Sequence, residues 1–139
     1  MLSFVHPQKK FSASYAEALR EGLELVEVSP EKVSRIENDF DGWLKEQTDL
    51  TVPVTLPDGR QVPRVPQTTM WLVEDDRFIG RVGVRHSLNE ELQTYGGHIG
   101  YAVRQSERGK GYGTMMLAEG MRVAKEFGLD KVLLTCNDD

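Results

Sequence analysis

The stretches Ile99-Gly100-Tyr101-Ala102-Val103 and Arg108-Gly109-Lys110-Gly111-Tyr112-Gly113-Thr114 decide the fold of this chain. The first predicts a buried strand, and the second connects it to a predicted amphipathic helix. Apolar residues recur at helical spacing after the loop, at Leu117, Met121, Ala124 and Phe127, with Gly128 as the expected stop. Glycine at every second position lets the backbone N–H groups of the loop turn inward, and at a helix N-terminus such donors bind phosphate. The sequence therefore predicts a phosphorylated small-molecule ligand.

The spacing of the glycines excludes the two common phosphate loops. A Walker A loop ends in Gly-Lys-Ser/Thr, whereas Lys110 lies between two glycines. The dinucleotide fingerprint, counted from Gly109, requires a third glycine where Thr114 stands. A simple tight turn is the structural alternative. Three alternating glycines, however, cost more backbone entropy than a turn requires, and the adjacent Arg108 and Lys110 suit an anionic ligand.

The loop resembles the acetyl-CoA loop of the GCN5-related N-acetyltransferases, whose signature is Arg/Gln-x-x-Gly-x-Gly/Ala and which here spans Arg108 to Gly113. The strand end Val103-Arg104-Gln105 is similar to that family's Val-x-Pro, with Gln105 in place of proline. The resemblance extends from about Trp71 to the end of the chain and points to a bacterial branch of predicted acetyltransferases. Its further segments are Arg85-His86-Ser87-Leu88-Asn89-Glu90, Gly96-Gly97-His98 and Leu133-Leu134-Thr135-Cys136-Asn137-Asp138-Asp139.

This resemblance implies an α/β (α+β) fold, a mixed and mostly antiparallel sheet flanked by helices. It implies one N-acetyltransferase domain over residues 1–139 that is C-terminally incomplete and lacks its last strands. The missing continuation would complete the acceptor side. Truncation is the favoured explanation, ahead of a second chain that supplies the remainder or a broken enzyme.

The resemblance also implies the cofactor, acetyl-CoA (coenzyme A), and its binding residues. The pantetheine arm would lie between the strand that ends at Val103 and the strand that ends at Cys136. A backbone N–H near Val103 would polarise the thioester carbonyl. The loop amides would bind the pyrophosphate, with Lys110 or Arg104 adding charge. The implied cofactor-binding residues are Tyr101, Val103, Arg108, Gly109, Lys110, Gly111, Tyr112, Gly113 and Thr114.

The expected reaction is direct attack by a primary amine of a small molecule or peptide, which gains most from proximity and orientation. The amine must lose a proton and the leaving thiolate must gain one. The catalytic candidates are His98, on the key strand, and Glu90, in the polar loop before it; a structural role is open for both. No metal site is predicted. Two alternatives stay open: a non-catalytic CoA or acyl-CoA-binding module, and a structural domain whose glycine loop is only a turn.

Composition limits the partners and the compartment. The chain has 139 residues, 39% hydrophobic and 28% charged, which is ordinary for one globular domain. A formal net charge of −5 disfavours nucleic acid and anionic membranes as partners. The segment from Arg104 to Gly111 is nevertheless locally basic, since it contains Arg104, Arg108 and Lys110 and one acidic residue, Glu107. The single cysteine excludes an internal disulfide, and a buried structural thiol is favoured over a nucleophile. With no membrane-spanning run or signal-peptide pattern, the cytoplasm is expected. A homodimer is left open.

Local signals predict the helices of the first half. The spacing Ser14-x-x-Glu17 is that of a capping box and predicts a helix from Tyr15 to Glu21, followed by Gly22. Ser29-Pro30 predicts a second start. An apolar face follows this start, with a break expected at Gly42; its members are Val33, Ile36, Phe40, Trp43 and Leu44.

Strand signals are distributed along the whole chain. A first strand is expected over Leu23–Val28, and the proline-rich residues 50–66 predict an extended loop or a small edge hairpin. A hairpin is expected to turn at Asp75-Asp76, between Trp71–Val73 and Phe78–Arg85. In its second arm, alternation predicts Phe78, Gly80, Val82 and Val84 on one face and Arg81 and Arg85 on the other. Glycines 96, 97 and 100 suggest a bulge or a close backbone approach in the strand Gly97–Val103.

Overall fold

A computed structural model of the chain describes residues 1–24, 28–55, 58–86 and 98–128. Within these ranges an antiparallel sheet is flanked by helices, which confirms the predicted fold class. The strands are β1 (Leu2–Val5), β2 (Val54–Thr55), β3 (Gln61–Val62), β4 (Gln67–Glu74), β5 (Arg77–Arg85) and β6 (Ile99–Val103). The helices are α1 (Ser12–Arg20), α2 (Pro30–Asn38), α3 (Phe40–Gln47) and α4 (Tyr112–Glu126), with 3₁₀ turns at Lys9–Phe11 and Gln105–Glu107.

The described part of the main sheet has the order β1-β4-β5-β6, and every neighbouring pair is antiparallel. The predicted β4–β5 hairpin is confirmed and turns at Asp75, whose φ is 55°. The proline-rich segment also forms a hairpin, but within the ranges that the structure describes β2 and β3 pair with each other and not with the main sheet. Strand β1 has no counterpart in the sequence-based prediction.

A bulge in β5 places Phe78 and the valines that follow it on opposite faces of the sheet. Leu72 is opposite Gly80 while Val73 is opposite Phe78, so Ile79 is an extra residue in β5. Phe78 therefore packs on the side of α1, α2 and α3, whereas Val82 and Val84 pack on the side of α4. The prediction that Phe78 shares a face with the two valines is wrong, because the bulge interrupts the alternation on which it was based.

The α1–α3 side of the sheet is an aromatic core. Tyr15 stacks on Trp71 with ring centroids 4.6 Å apart, and Phe78 meets both rings edge-on at about 5 Å. Phe40 and Trp43 extend the cluster from α3. This packing fixes α1 against β5, and so fixes the helix from which two carboxylates reach the loop after β6.

The predicted bulge in β6 is not found in the described strand. Its register with β5 is regular from Gly80 opposite Val103 to Val84 opposite Ile99. Residues 96 and 97 lie outside the described ranges. Half of the predicted strand Leu23–Val28 also falls outside them, since 25–27 are not described.

The predicted capping box is wrong. Ser14 lies inside α1, where its hydroxyl accepts hydrogen bonds from the Phe78 N–H (2.9 Å) and from Arg104 Nη1 (3.2 Å). The hydroxyl is therefore used by tertiary structure instead of by the helix terminus. The predicted end of the helix is confirmed, because Gly22 follows α1 with a φ of 96°.

The second helix start is confirmed, and the break after it is displaced. Ser29 Oγ accepts the Lys32 N–H at 3.2 Å, with Pro30 at the first helical position. The break is at Asp39 rather than at Gly42, because the Asp39 carboxylate accepts the Gly42 N–H (3.3 Å) and begins α3.

Helix α4 packs through a face that differs from the prediction. Its buried residues are Gly113, Met116, Gly120, Val123 and Ala124. Met121 and Phe127, predicted to face the core, are 45% and 47% exposed. Gly120 belongs to the packed face: a Cβ there would lie 2.8 Å from Ile99 Cγ2, so the absence of a side chain lets the helix backbone lie close to the sheet at this position. In the described ranges, no helix combines the length and the apolar character that crossing a membrane requires.

Candidate functional site

The loop between β6 and α4 has the geometry that its glycines predict. Gly109 and Gly111 have φ values of 81° and 85°, a left-handed conformation that strains any residue with a Cβ. A Cβ at either position would meet no atom of the described chain within 4 Å. Steric crowding by the described residues therefore does not explain these glycines. Their conformation turns the backbone directly into the N-terminus of α4 at Tyr112.

The loop presents backbone donors at this helix terminus. The N–H groups of Glu107 and Arg108 are bound to Arg104 O (2.8 Å) and Gln105 O (3.3 Å). In the described part of the chain, no hydrogen bond is donated by the N–H groups of Gly109, Lys110 or Gly111. The first N–H groups of α4 have no intrahelical acceptor either, and the helix dipole adds partial positive charge. An oxyanion can bind to this group of donors.

The register of β6 directs a second set of backbone groups away from β5. Arg85 N donates to His98 O (2.6 Å) and Arg104 N donates to Ile79 O (2.8 Å). In an antiparallel pair the hydrogen-bonded positions alternate, so β6 turns every other residue toward its outer edge. The outward-facing residues are Ile99, Tyr101 and Val103.

Arg108 confirms the outward direction of Val103. Its Nε donates to Val103 O at 3.0 Å, and its Nη2 donates to Gly22 O at 3.4 Å. The Arg108 side chain is therefore bound to the chain's own backbone at the base of the loop. Two of the predicted cofactor-binding residues, Tyr101 and Val103, thus share one edge, and the glycine loop continues from it.

Arg104 does not serve as the predicted phosphate ligand. Its side chain is completely buried and points to α1, where Nε donates to Glu21 Oε2 at 2.7 Å and Nη2 pairs with Glu17. Nη1 also donates to Phe78 O at 3.3 Å. The prediction that Arg104 adds charge to a bound pyrophosphate is wrong, because these bonds neutralise its guanidinium on the far side of the backbone. Arg104 instead fastens the end of β6 to α1.

The contact with Arg104 changes the pKa of the Glu21 carboxyl group. Burial alone would raise the pKa of Glu21, but hydrogen bonds from Arg104 and from Ser106 hold that pKa below its ordinary value. Ser106 N donates to Glu21 Oε1 at 3.2 Å, so the same carboxylate also binds the 3₁₀ turn before the loop.

Lys110 lies on the loop and pairs with Glu107. Its Nζ is 2.6 Å from Glu107 Oε2, and Arg77 Nε donates to Glu107 Oε1 at 3.2 Å. These cations hold the pKa of Glu107 below its usual range, and the hydrogen bond from Lys110 is the largest cause. The Lys110 side chain is 56% exposed, so it can reach an anion on the loop by leaving this carboxylate.

The structure describes only one of the two predicted catalytic candidates. His98 directly precedes β6, is half-buried, and shares the α1–α3 face of the sheet with Gly100 and Ala102. Glu90 lies outside the described ranges, and so does the predicted last strand with Cys136. His86 Nε2 is 2.8 Å from Thr68 Oγ1, and its ring stacks on Phe127 at 3.8 Å.

Sequence reasoning missed two ion pairs beside the site. One is Arg104 with α1; the other is Arg81 with Glu24, joined by two hydrogen bonds of 2.7 and 2.6 Å. A signal for the first existed, since Glu17 and Glu21 are four residues apart on one helix face. Two such carboxylates repel each other unless a cation lies between them.

Comparison with known proteins identifies the domain. The family model described as Acetyltransferase (GNAT) domain matches residues 23–139. The chain is similar to the crystal structure of an acetyltransferase of Trypanosoma brucei, with a TM-score of 0.56 and 16% identity, over 100% of this chain and 84% of that one. No curated protein matched the chain.

Two further solved structures share the fold. PaiA N-acetyltransferase of Thermoplasma acidophilum, in complex with coenzyme A, gives a TM-score of 0.51 and 14% identity over 92% of this chain and 74% of that one. Glucosamine-6-phosphate N-acetyltransferase of Arabidopsis thaliana gives 0.52 and 14% over 99% and 83%. At these identities the likeness shows the fold alone. The family match covers most of the sequence, and the chain belongs to the GNAT acetyltransferase domain family.

Proposed function

We propose that the protein is an acetyl-CoA-dependent N-acetyltransferase that acts on a primary amine of a small molecule or peptide by direct attack. The observation that carries the proposal is the loop in which Gly109 and Gly111 are left-handed and which leads directly into the N-terminus of α4. PaiA N-acetyltransferase, which shares this fold, has been crystallised in complex with coenzyme A. A cytoplasmic location and a homodimer stay predictions of the sequence.

The described residues fit the diphosphate of coenzyme A. A ligand oxygen can approach the loop closely, because glycines occupy the two positions where a Cβ would meet none of the described residues and would face the ligand instead. Lys110 adds a movable positive charge. When bound, acetyl-CoA supplies an activated thioester, so the chain needs no nucleophile of its own.

Each part of the chain has a defined task in this mechanism. The loop amides bind the diphosphate, and the outward-facing main chain at the Val103 end of β6 pairs with an extended amide-containing arm as a sheet edge pairs with a peptide. The Val103 N–H, on that edge, is positioned to stabilise an oxyanion. An imidazole nitrogen of His98 accepts the proton of the amine, with Glu90 as the second candidate.

A thermal-shift comparison of two glycine variants tests the coenzyme site. Gly111→Ala and Gly59→Ala introduce the same change, since both glycines have a positive φ and open space around the new Cβ. Each should lower the free energy of unfolding by about 1 kcal/mol. Saturating CoA at about 100 times its Kd should stabilise the wild type and Gly59→Ala by about 2.7 kcal/mol, and Gly111→Ala by less than half of that. Equal stabilisation of the two variants would contradict the site.

Thiol release separates the enzyme from a non-catalytic CoA-binding module. Acetyl-CoA and an amine panel should release free thiol with the wild type, and His98→Gln should lower kcat at least tenfold while the thermal shift with CoA is retained. A full thermal shift with no thiol release over the panel would favour the binding module. The absence of both would favour a structural domain.

A further inference from the structure

The carboxylate of Glu21, the residue directly after α1, binds two different parts of the segment that joins β6 to the glycine loop. Its Oε2 accepts a hydrogen bond from Arg104 Nε at 2.7 Å, and its Oε1 accepts one from the Ser106 N–H at 3.2 Å. Arg104 directly follows β6, and Ser106 lies in the 3₁₀ turn Gln105–Glu107. One side chain at the end of α1 therefore holds both the end of the strand and the turn that precedes Gly109.

The next residue, Gly22, makes a second contact with the same segment. Gly22 O accepts a hydrogen bond from Arg108 Nη2 at 3.4 Å, while Arg108 Nε donates to Val103 O at 3.0 Å. A Cβ at Gly22 would lie 3.4 Å from Gln105 Oε1, so the Gln105 side chain also lies near the end of α1. Two consecutive residues, Glu21 and Gly22, thus hold the segment before the glycine loop at its start and at its end.

These contacts matter for the loop because glycines do not hold a backbone in one conformation by themselves. Gly109 and Gly111 can adopt more backbone conformations than other residues, so ordering them costs conformational entropy. When the preceding turn is already fixed, the loop has less entropy to lose on binding an anion. A larger fraction of the molecules then has the loop in the binding conformation, and the apparent affinity is higher.

The negative charge of Glu21 acts in the opposite direction. A carboxylate repels a diphosphate, and a neutral side chain at this position would leave the buried Arg104 with one partner charge fewer. Charge alone therefore predicts that CoA binds more tightly when Glu21 is neutralised. The loss of the contacts with the turn predicts weaker binding, so the sign of the change separates the two effects.

We propose that Glu21 is a positioning residue for the coenzyme: its two carboxylate oxygens hold Arg104 and Ser106 so that the glycine loop is ordered before the diphosphate binds. This inference rests on the proposed function, because it concerns the coenzyme site of that function. Glu21 acts through the turn and not on the reacting atoms. Its removal therefore lowers the affinity for the coenzyme and leaves the chemical step unchanged, since a bound diphosphate itself orders the loop.

Three variants separate the contact from the charge. Glu21→Gln keeps the size of the side chain, but its amide has one acceptor oxygen and cannot accept from both Arg104 and Ser106. Glu21→Asp keeps the charge, but a side chain shorter by one methylene cannot reach both donors. Glu17→Gln is the matched control, because it takes a carboxylate from the same guanidinium, and in the described part of the chain Glu17 accepts no hydrogen bond from the turn.

Calorimetry measures the Kd for CoA at a temperature at which circular dichroism shows each variant to be fully folded, so that global stability does not enter the affinity. Glu21→Gln and Glu21→Asp should each raise the Kd about tenfold, as expected if about a tenth of the molecules keep the loop in the binding conformation. Glu17→Gln should keep the Kd of the wild type. If Glu21→Gln does not fold, Glu21→Asp, which keeps a carboxylate beside Arg104, carries the test.

Kinetics supplies a readout that general destabilisation does not change. In both Glu21 variants the KM for acetyl-CoA should rise while kcat at saturation stays the same. S-acetylpantetheine, which has the thioester and the arm but no diphosphate, should be used with the same kcat/KM by the wild type and all three variants.

The outcomes separate this inference from the proposed function. If the wild type binds CoA and releases thiol, but the Glu21 variants keep its Kd or bind more tightly, the inference is overturned and the function stands. A loss that Glu17→Gln shares in full, or that is equal with S-acetylpantetheine, also overturns it, because the effect is then not specific to the turn and the diphosphate. If CoA binds but no amine releases thiol, the Kd values alone decide. If the wild type does not bind CoA, the proposed function and the inference both fail.

Discussion

Arg104 decides how the loop after β6 is held. It binds two carboxylates of α1, Glu17 and Glu21, and the Phe78 carbonyl. The charge count of the sequence places Arg104 with the loop cations because only Glu107 is an acid nearby in the chain. Its partners precede it by 87 and 83 residues, so no local pattern could identify them. The sequence did predict the glycine conformations at Gly109 and Gly111, because these depend only on residues that are adjacent in the chain.

Arg104→Met should lower the free energy of unfolding by about 3 kcal/mol, because it removes the cation between two carboxylates while keeping much of the buried volume. The measurement is urea denaturation followed by circular dichroism. Arg122→Met is the matched control: its ion pairs with Glu119 and Glu126 are at the surface, where such pairs contribute about 0.5 kcal/mol. Equal losses in the two variants would contradict the role of Arg104.

Two glycines of β5 allow the packing of that strand to be tested. A Cβ at Gly80 would overlap Met116 Cε and lie 2.6 Å from Ala102 O, whereas among the described residues a Cβ at Gly83 would meet only Thr69 Oγ1, at 3.9 Å. We expect Gly80→Ala to lower the free energy of unfolding by about 2 kcal/mol, as overpacking does. Gly83→Ala should be neutral or stabilising by about 0.5 kcal/mol, since alanine suits a strand interior better than glycine. Urea denaturation of both variants measures the difference, and a larger loss at Gly83 would contradict the register.

The same strand shows which elements the sequence could predict. The β4–β5 hairpin, the start of α2 and the strand–loop–helix order after Ile99 follow from local turn and capping chemistry. The bulge at Ile79 does not follow from them, because one extra apolar residue within a run of apolar residues does not change the sequence pattern. The packed face of α4 differs from the prediction for a related reason: a count of apolar residues includes Met121 and Phe127 but omits Gly120, where a Cβ would lie 2.8 Å from Ile99 Cγ2. Of the candidate site, the loop was predictable, whereas the burial of Arg104 against α1, which depends on long-range packing, was not.

Ion pairs join the separate elements of the molecule. Glu24 binds Arg81 of β5, Glu21 binds Arg104 after β6, and Glu107 binds Lys110 at the loop. In each case the folded protein holds the pKa of the carboxyl group below its ordinary value. For Glu24, burial alone would raise the pKa, but the charge of Arg81 and its hydrogen bonds outweigh it. The net charge of −5 therefore includes carboxylates that bind the sheet to its surroundings.

These pairs give stability a defined dependence on pH. Because the folded pKa values are lowered, the unfolded chain binds more protons between them and the ordinary glutamate pKa of about 4.3. The free energy of unfolding should therefore be constant with respect to these groups well above that pH, and should fall as the pH drops through and below it. Urea denaturation from pH 7 to pH 3 measures this slope.

Glu24→Gln should flatten the slope, because glutamine does not titrate. Arg81→Met is the complementary variant: without the guanidinium, burial raises the pKa of Glu24, so the contribution of this carboxyl group reverses and favours the folded state at low pH. Both variants should lower stability at pH 7 more than at pH 3. If both variants kept the slope of the wild type, the ion pair between Glu24 and Arg81 would not link the segment after α1 to β5 in solution.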